Sequence, residues 1–280
     1  MMSKEKKTIL KKVFFTLAIA LFLFWTIFPI YWMVITSFKN RQELYQIPPT
    51  FFPMKATLEN YVKAFIAGDF GTYIKNSIIA TTTSSVFAVC IATMGGYPIA
   101  RMKFKGKGLV MGILLATQMV CLMTAIIPIY NMMKVFGLID SLWSLIFIYT
   151  VSNIPFCMLT ITSFYKQIPI SLEEAARIDG CSLFGAVVRI TLPAMKPGLV
   201  SNFVFAFTGS WNEMFMSIML INRDSNRTIP AGLMSFVSKF DVNWGQMCAG
   251  TCVTLIPVIV MFFLVQKHIV AGLTSGAVKE

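Results

Sequence analysis

Residues 13–36 read VFFTLAIALFLFWTIFPIYWMVIT, from Val13 to Thr36, with no Asp, Glu, Lys or Arg among them. A bilayer core is crossed by about 20 apolar residues in a helix, so this stretch is long enough to span one. Lys4, Lys6, Lys7, Lys11 and Lys12 precede it, as they would precede a secretion signal. The small-x-small triplet Ala18-Ile19-Ala20 lies inside the apolar run, however, and the run is too long for a signal core. The sequence predicts an uncleaved first membrane helix.

The same pattern recurs along the chain. Asn76–Ala100, Leu109–Met133, Ser141–Tyr165 and Gly245–Gln266 are also free of charge, and Gly198–Asn222 carries only Glu213. These six segments take up about half of the 280 residues. The composition agrees: 56% apolar, 13% charged, mean hydropathy +0.73. A soluble domain carries about 25% charged residues, and a disordered chain needs low hydrophobicity, so both are excluded. The formal net charge is +12, but the basic residues flank the apolar runs instead of forming a patch, which argues against a nucleic-acid partner.

Six spans place both termini on one side of the membrane. With the N-terminus inside, segments 1–12, 101–108, 166–197 and 267–280 hold 15 of the 24 Lys and Arg residues. Arg101, Lys103, Lys105 and Lys107 crowd one short inner loop, while the outer loop 134–140 has only Lys134. Basic residues favour the cytoplasmic side, and short loops weigh most. The expected fold is therefore all-α: a six-helix transmembrane bundle with cytoplasmic termini. Residues 1–12 form an N-terminal segment, 13–268 the membrane domain and 269–280 a cytoplasmic tail.

Other chemistries find little support. The six cysteines show neither a CxxC pair nor an extracellular framework, and the single His268 has no HExxH context. No metal site is expected. Pro29, Pro98, Pro128, Pro155 and Pro257 place a proline in every span but the fifth, either as hinges or as ordinary kinks that neighbouring helices satisfy.

The most informative loop is residues 169–197, PISLEEAARIDGCSLFGAVVRITLPAMKP. Ser171 and Glu174 have capping-box spacing, Leu172–Ile178 suits a short helix, and Asp179-Gly180 offers a stop. Ser182 suits the cap of a second helix through Leu183, Phe184, Val187, Val188 and Ile190, before Pro193 and Pro197 lead into the fifth span. The predicted hairpin is too small to own a core. Its apolar face must dock on the rest of the chain, on another protein or on lipid headgroups.

Glu174-Ala175-Ala176, then Asp179-Gly180, then Ile190-Thr191-Leu192-Pro193, resembles the EAA loop of ABC importer permeases. The resemblance covers essentially the whole chain and is nearest to the shorter permease subunit of the maltose-type carbohydrate importers. Phe70, Asn76-Ser77 and Tyr97-Pro98-Ile99-Ala100-Arg101 resemble the two ends of that family's second span. Trp211-Asn212-Glu213 and Thr228-Ile229-Pro230-Ala231-Gly232-Leu233 resemble its fifth span and the loop that follows, and residues 270–279 its cytoplasmic tail. Cys181 and Pro98 stand where that family usually has Ala.

That resemblance implies a mechanism. A second permease subunit pairs with this one as a heterodimer, each offers its loop to one of two cytoplasmic ATPases, and an extracellular binding protein delivers a carbohydrate, an oligosaccharide. Glu174 and Asp179 would bond the ATPase, Gly180 would make the tight turn, and Ala175 and Ala176 would permit close packing. Phe184, Ile190, Leu192 and Pro193 would seat the loop. Gly272, Leu273, Thr274 and Gly276 in the tail would reach the ATPase dimer. No GxxxxGK[ST] occurs in the chain, so ATP and Mg would sit on the partner, and this subunit would bind no cofactor and perform no catalysis.

An ionisable residue within a span is a functional candidate by default. Glu213, flanked by Trp211 and Asn212, suits sugar contact, or else pairs with another helix or gates the outer end. Asn153, Gln118 and Asn131 either line a polar path or bond a neighbouring helix. A permease for another solute, such as glycerol phosphate or a polyamine, fits the same pattern. An ion-coupled secondary carrier fits less well, for want of paired midplane charges and an internal repeat.

Overall fold

The computed structural model describes residues 4–67, 69–120, 122–237 and 242–277. Helix α1 spans Lys4–Ser37, α2 Glu59–Ala67, α3 Phe70–Arg101, α4 Lys107–Met119, α5 Ile126–Val135 and α6 Leu142–Gln167. Helix α7 follows at Ile170–Ile178, α8 at Leu183–Ala186, α9 at Lys196–Trp211, α10 at Phe215–Leu220 and α11 at Trp244–Ala277. Among the described residues, four helices are long and apolar enough to cross a membrane, and six segments are if each of two bent helix pairs is one span. The fold is all-helical, as expected, but two of the expected spans are broken.

The expected third span, Leu109–Met133, is two helices, α4 and α5, joined through a 3-10 turn at Leu122–Ala125. Pro128 lies in the first turn of α5 and has no N–H to donate to the turn before it. A new helix starts at Ile126 instead of the first one running through. The expected fifth span, Gly198–Asn222, stops at Trp211 and resumes as α10 at Phe215. By contrast Pro29, Pro98, Pro155 and Pro257 all lie inside continuous helices.

The chain divides into two units. The first comprises Met1–Asp69 and Ser235–Thr254. Here α1 is apolar on every side from Val13 to Thr36, with Phe14, Phe22, Trp25 and Ile27 each more than half exposed. A helix that is hydrophobic all round suits hydrocarbon or another subunit, not water. The segment after it is held by polar contacts. Asn60 Nδ2 donates to the carbonyls of Ser37 (2.9 Å) and Lys39 (2.8 Å). Buried Glu43 accepts from Thr50 Oγ1 (2.7 Å) and the Met54 N–H (2.9 Å). Burial alone would raise the Glu43 pKa, but those bonds and nearby Lys39 outweigh it and hold the carboxyl below its ordinary value.

The second unit comprises Phe70–Met234 and Leu255–Glu280. Its centre is the packing of α3 on α6. Ala80, Ser84, Ala88, Ala92 and Gly96 recur every four residues along α3, and the first four are fully buried. Small residues at that spacing lie on one face and let two backbones approach closely. The hydroxyls cost little there, because Thr81 bonds the Ser77 carbonyl (2.7 Å) and Ser84 and Ser85 both bond that of Thr81. One apolar cluster joins Ala80, Met133, Leu145, Tyr149, Met216 and Leu220, and another joins Ala92, Cys157, Ile161, Tyr165, Met195 and Ala206. At the start of α9, a Cβ added to Gly198 would lie 2.6 Å from the Phe164 ring, so only glycine fits that crossing.

Candidate functional site

The hairpin between α6 and α9 starts abruptly. The residue after α6, Ile168, is extended, Pro169 caps α7, and no side chain closes the cap. The expected Ser171–Glu174 capping box is therefore absent: α7 begins at Ile170, ahead of Ser171, so that pair lies within the helix. The stop is as expected. Gly180 has φ +90°, the left-handed region that glycine adopts without steric cost. The N–H groups of Gly180 and Cys181 close the turn on the carbonyls of Arg177 (3.1 Å) and Ala176 (3.0 Å). Ser182 Oγ then accepts the Gly185 N–H at 3.1 Å and caps α8, as its position predicts. The second helix differs from expectation beyond Ala186, where Val187–Thr191 widens into a π turn before Leu192–Ala194. The segment Leu183–Ala194 meets α9 at 74°.

The hairpin separates its two adjacent glutamates. Glu173 is buried with Ala176, while Glu174, Ala175, Asp179 and Gly180 are exposed. Glu174 and Asp179 form no ion pair among the described residues. Phe184 is 78% exposed and Ile178 87%, and Ile190 and Pro193 are also exposed. Leu192 alone of the seating residues packs inward, against the cluster around Tyr165 and Met195. Phe184 does not seat the loop on its own bundle; it projects from it.

Sequence reasoning missed what Glu173 does. Arg101, the last residue of α3, reaches Glu173 Oε1 with both Nε (2.9 Å) and Nη2 (2.7 Å). Nη2 also donates to the Ile168 carbonyl at 2.9 Å, and the Tyr97 hydroxyl donates to Glu173 Oε2 at 3.1 Å. The signal was available: a basic residue ending span two and an acidic residue sharing a helix face with Ala176, three positions on.

A second polar cluster surrounds the break between α9 and α10. Both carboxylate oxygens of Glu213 accept the Met216 N–H, at 3.0 and 3.1 Å, and the Tyr149 hydroxyl donates to Oε2 at 3.2 Å. Glu213 thus caps a helix start, where the dipole favours a carboxylate. Asn153 Nδ2 bonds the Tyr149 carbonyl (2.7 Å) and Ser210 Oγ (3.0 Å), tying α6 to α9. Trp211 is buried and stacks on Phe207, with centroids 5.4 Å apart. Asn212 is exposed and bonds back to the Thr208 carbonyl. The structure therefore brings Glu213 and Asn153 to one knot and turns Trp211 into packing. Gln118 on α4 and Asn131 on α5 are both exposed and do not join it. The side chains of Gly272, Leu273, Thr274 and Gly276 lie outside the described residues.

Glu213→Ala is expected to remove the cap at a cost of about 1 kcal/mol, lowering the thermal midpoint of the purified chain by about 2–4 °C. Glu213→Gln, which keeps one acceptor oxygen, is expected to lose less.

The far end of α3 is tied down as well. Asn76 Nδ2 donates to the carbonyls of Ser225 (2.9 Å) and Arg227 (3.0 Å), and Ser77 Oγ accepts the Ile229 N–H at 2.8 Å. Asp140 accepts the N–H groups of Arg223 (2.9 Å) and Asn222, and these bonds hold its carboxyl below its ordinary value. Among the described residues there is no group of three or more metal-ligating side chains.

The family of binding-protein-dependent transport system inner membrane components matches residues 92–274, which include the hairpin and both polar clusters. The chain belongs to this family. This permease is 37% identical to the diacetylchitobiose uptake system permease protein DasC of Streptomyces coelicolor, over 90% of this chain and 92% of that one. It is 29% identical to the trehalose/maltose transport system permease protein MalG of Thermococcus litoralis, over 98% and 99%. Its fold matches a crystal structure of a bacterial ABC transporter that imports the acidic polysaccharide alginate, with TM-score 0.81 over 95% and 98% of the two chains at 19% identity. The permease is a multi-pass membrane subunit of an ABC importer.

Proposed function

We propose that this permease forms one half of a heterodimeric pore for a carbohydrate, an oligosaccharide, in a prokaryotic cytoplasmic membrane. Its six spans, counting each bent pair as one, leave both termini and the hairpin in the cytoplasm. Two separate ATPase subunits hold ATP and Mg and perform the hydrolysis. An extracellular binding protein supplies the sugar, and this chain binds no cofactor.

The observation that carries the reading is the hairpin. Its turn is built on a positive-φ glycine, it buries one glutamate, and it leaves Glu174, Asp179, Ile178 and Phe184 on its exposed surface. Charged groups around projecting apolar side chains suit a groove on a soluble partner, because an aromatic anchor such as Phe184 fills a pocket and the carboxylates supply specificity. The carbohydrate reading is supported by relatives named for diacetylchitobiose and for trehalose and maltose. In the knot at Glu213 and Asn153, carboxylate and amide groups beside Tyr149 suit sugar hydroxyls.

Two measurements test the reading. Deletion of the chain is expected to abolish ATP-dependent uptake of at least one member of a labelled panel containing diacetylchitobiose, trehalose and maltose oligomers. Unchanged uptake of every sugar, with loss of uptake of a polyamine or glycerol phosphate, would replace the substrate class. Gly180→Val has room for its side chain, since nothing lies within 4 Å, but φ +90° is strained for it. A cost of about 1–2 kcal/mol is expected, weakening ATPase capture by about tenfold with little loss of the chain from the membrane.

A further inference from the structure

We propose that Arg101, Glu173 and Tyr97 are positioning residues that lock the hairpin to α3, so that the two move as one body during the transport cycle. This rests on the permease reading and extends it from where force arrives to how it crosses the chain.

The locking groups are built for direction as well as adhesion. The side chains of Arg101 and Glu173 are only 10% and 4% exposed. Arg101 meets two acceptors on separate parts of the hairpin entrance, the Glu173 carboxylate and the Ile168 carbonyl. A planar guanidinium donates along fixed directions, so these bonds set an orientation that apolar packing alone leaves free to slide. Tyr97 closes the other carboxylate oxygen, and its ring packs edge-on to Tyr165 of α6 at 5.5 Å. The Tyr165 hydroxyl then returns to α3 at the Thr93 carbonyl (3.3 Å). Three helices therefore meet at one buried, hydrogen-bonded point.

The position of Pro98 gives this point its purpose. It lies between Tyr97 and Arg101, where a proline removes a helix hydrogen bond and makes a rod soft. The missing bond is the one to the Met94 carbonyl, and Tyr165 spans it with its hydroxyl on the Thr93 carbonyl and its ring on Tyr97, so α6 braces the weak joint through which a push on α7 passes. At the other end of α3, Asn76 and Ser77 hold the segment 225–229. Ser77 and Arg101 are about 36 Å apart along the helix at 1.5 Å per residue, a distance of the order of the membrane thickness. Displacement of the hairpin is thereby delivered to the segment 225–229 with α3 as the strut.

The test uses the full chain in the assembly that co-purifies with it, reconstituted in lipid nanodiscs. Spin labels are attached through a noncanonical amino acid at Ile78 and Leu172, both exposed, so the native cysteines stay in place. The Ile78–Leu172 distance is measured by pulsed electron resonance without nucleotide and after trapping with ATP, Mg and vanadate. The lock predicts one narrow distribution that shifts by less than about 2 Å on trapping. Glu173→Gln, and more mildly Tyr97→Phe, are expected to broaden it and let it shift. A change of about 5 Å or more with the native lock, in an assembly whose hydrolysis vanadate arrests, would overturn the proposal whether or not the variants fold. So would folded Glu173→Gln and Tyr97→Phe chains with distributions identical to the native one. Failure of any ATPase to co-purify would instead count against the permease reading itself.

Discussion

A chain carrying Phe184→Asp is expected to reach the membrane at native abundance and to lose its ATPase partner on purification. Phe184 is 78% exposed, so its removal costs the fold little. An aromatic side chain projecting from a short helix is the kind of group that fills a partner's pocket, and such anchors contribute about 2 kcal/mol or more each, roughly 30-fold in affinity. Aspartate adds a charge that the pocket must desolvate, which deepens the loss. Glu174→Ala is expected to weaken capture less, because an exposed charge pair contributes about 1 kcal/mol or less. Quantitative mass spectrometry of the co-purified ATPase reads both. Undiminished capture by Phe184→Asp would move the docking surface away from α8.

Arg101→Ala is expected to destabilise the second unit by about 3–5 kcal/mol, because it strands the Glu173 carboxylate in a site that is almost closed to water. The damage is expected to concentrate at residues 168–194 and to appear as faster proteolysis and hydrogen exchange there. Replacing both partners, Arg101→Met with Glu173→Leu, is expected to recover much of the stability, since a buried pair is often no stronger than apolar groups of its own size. The double variant lacks the directional bonds, so it separates the stability of the lock from its orienting role. An Arg101→Ala chain with native protection at the hairpin would show that the pair contributes nothing there.

The membrane class was plain in the sequence because lipid allows a spanning backbone only a helix or a closed barrel, and an unbroken apolar run such as Val13–Thr36 has the length of the helix. Hydropathy is blind to continuity. Leu109–Met133 is uniformly apolar, yet it breaks at the 3-10 turn where Pro128 withholds an N–H. Gly198–Asn222 breaks where the Glu213 carboxylate takes over a backbone N–H that a continuous helix would have bonded itself. That same observation adds a role for Glu213: besides the bond from Tyr149 of another helix, one of the alternatives the sequence left open, it caps the start of α10.

The hairpin was legible in its turn chemistry, because Gly180 and Ser182 have few conformational substitutes. The division of labour between Glu173 and Glu174 was not. Both carry the same charge in the same helical turn, and only the placement of Arg101, 72 residues earlier, decides which is buried. The packing of Trp211 was hidden for a related reason. An aromatic residue next to Asn and Glu suits sugar binding, but α9 turns it onto Phe207. The four-residue repeat of small side chains from Ala80 to Gly96 was present in the sequence and marks the face by which α3 packs on α6.

The decisive measurement is purification of the intact tagged chain from its native membrane in mild detergent, with identification and quantification of whatever accompanies it. A second permease and an ATPase recovered at close to one and two copies per chain, with hydrolysis retained, is the result expected of an importer subunit driven through its hairpin. A folded chain recovered alone that moves solute down an ion gradient without ATP would contradict it.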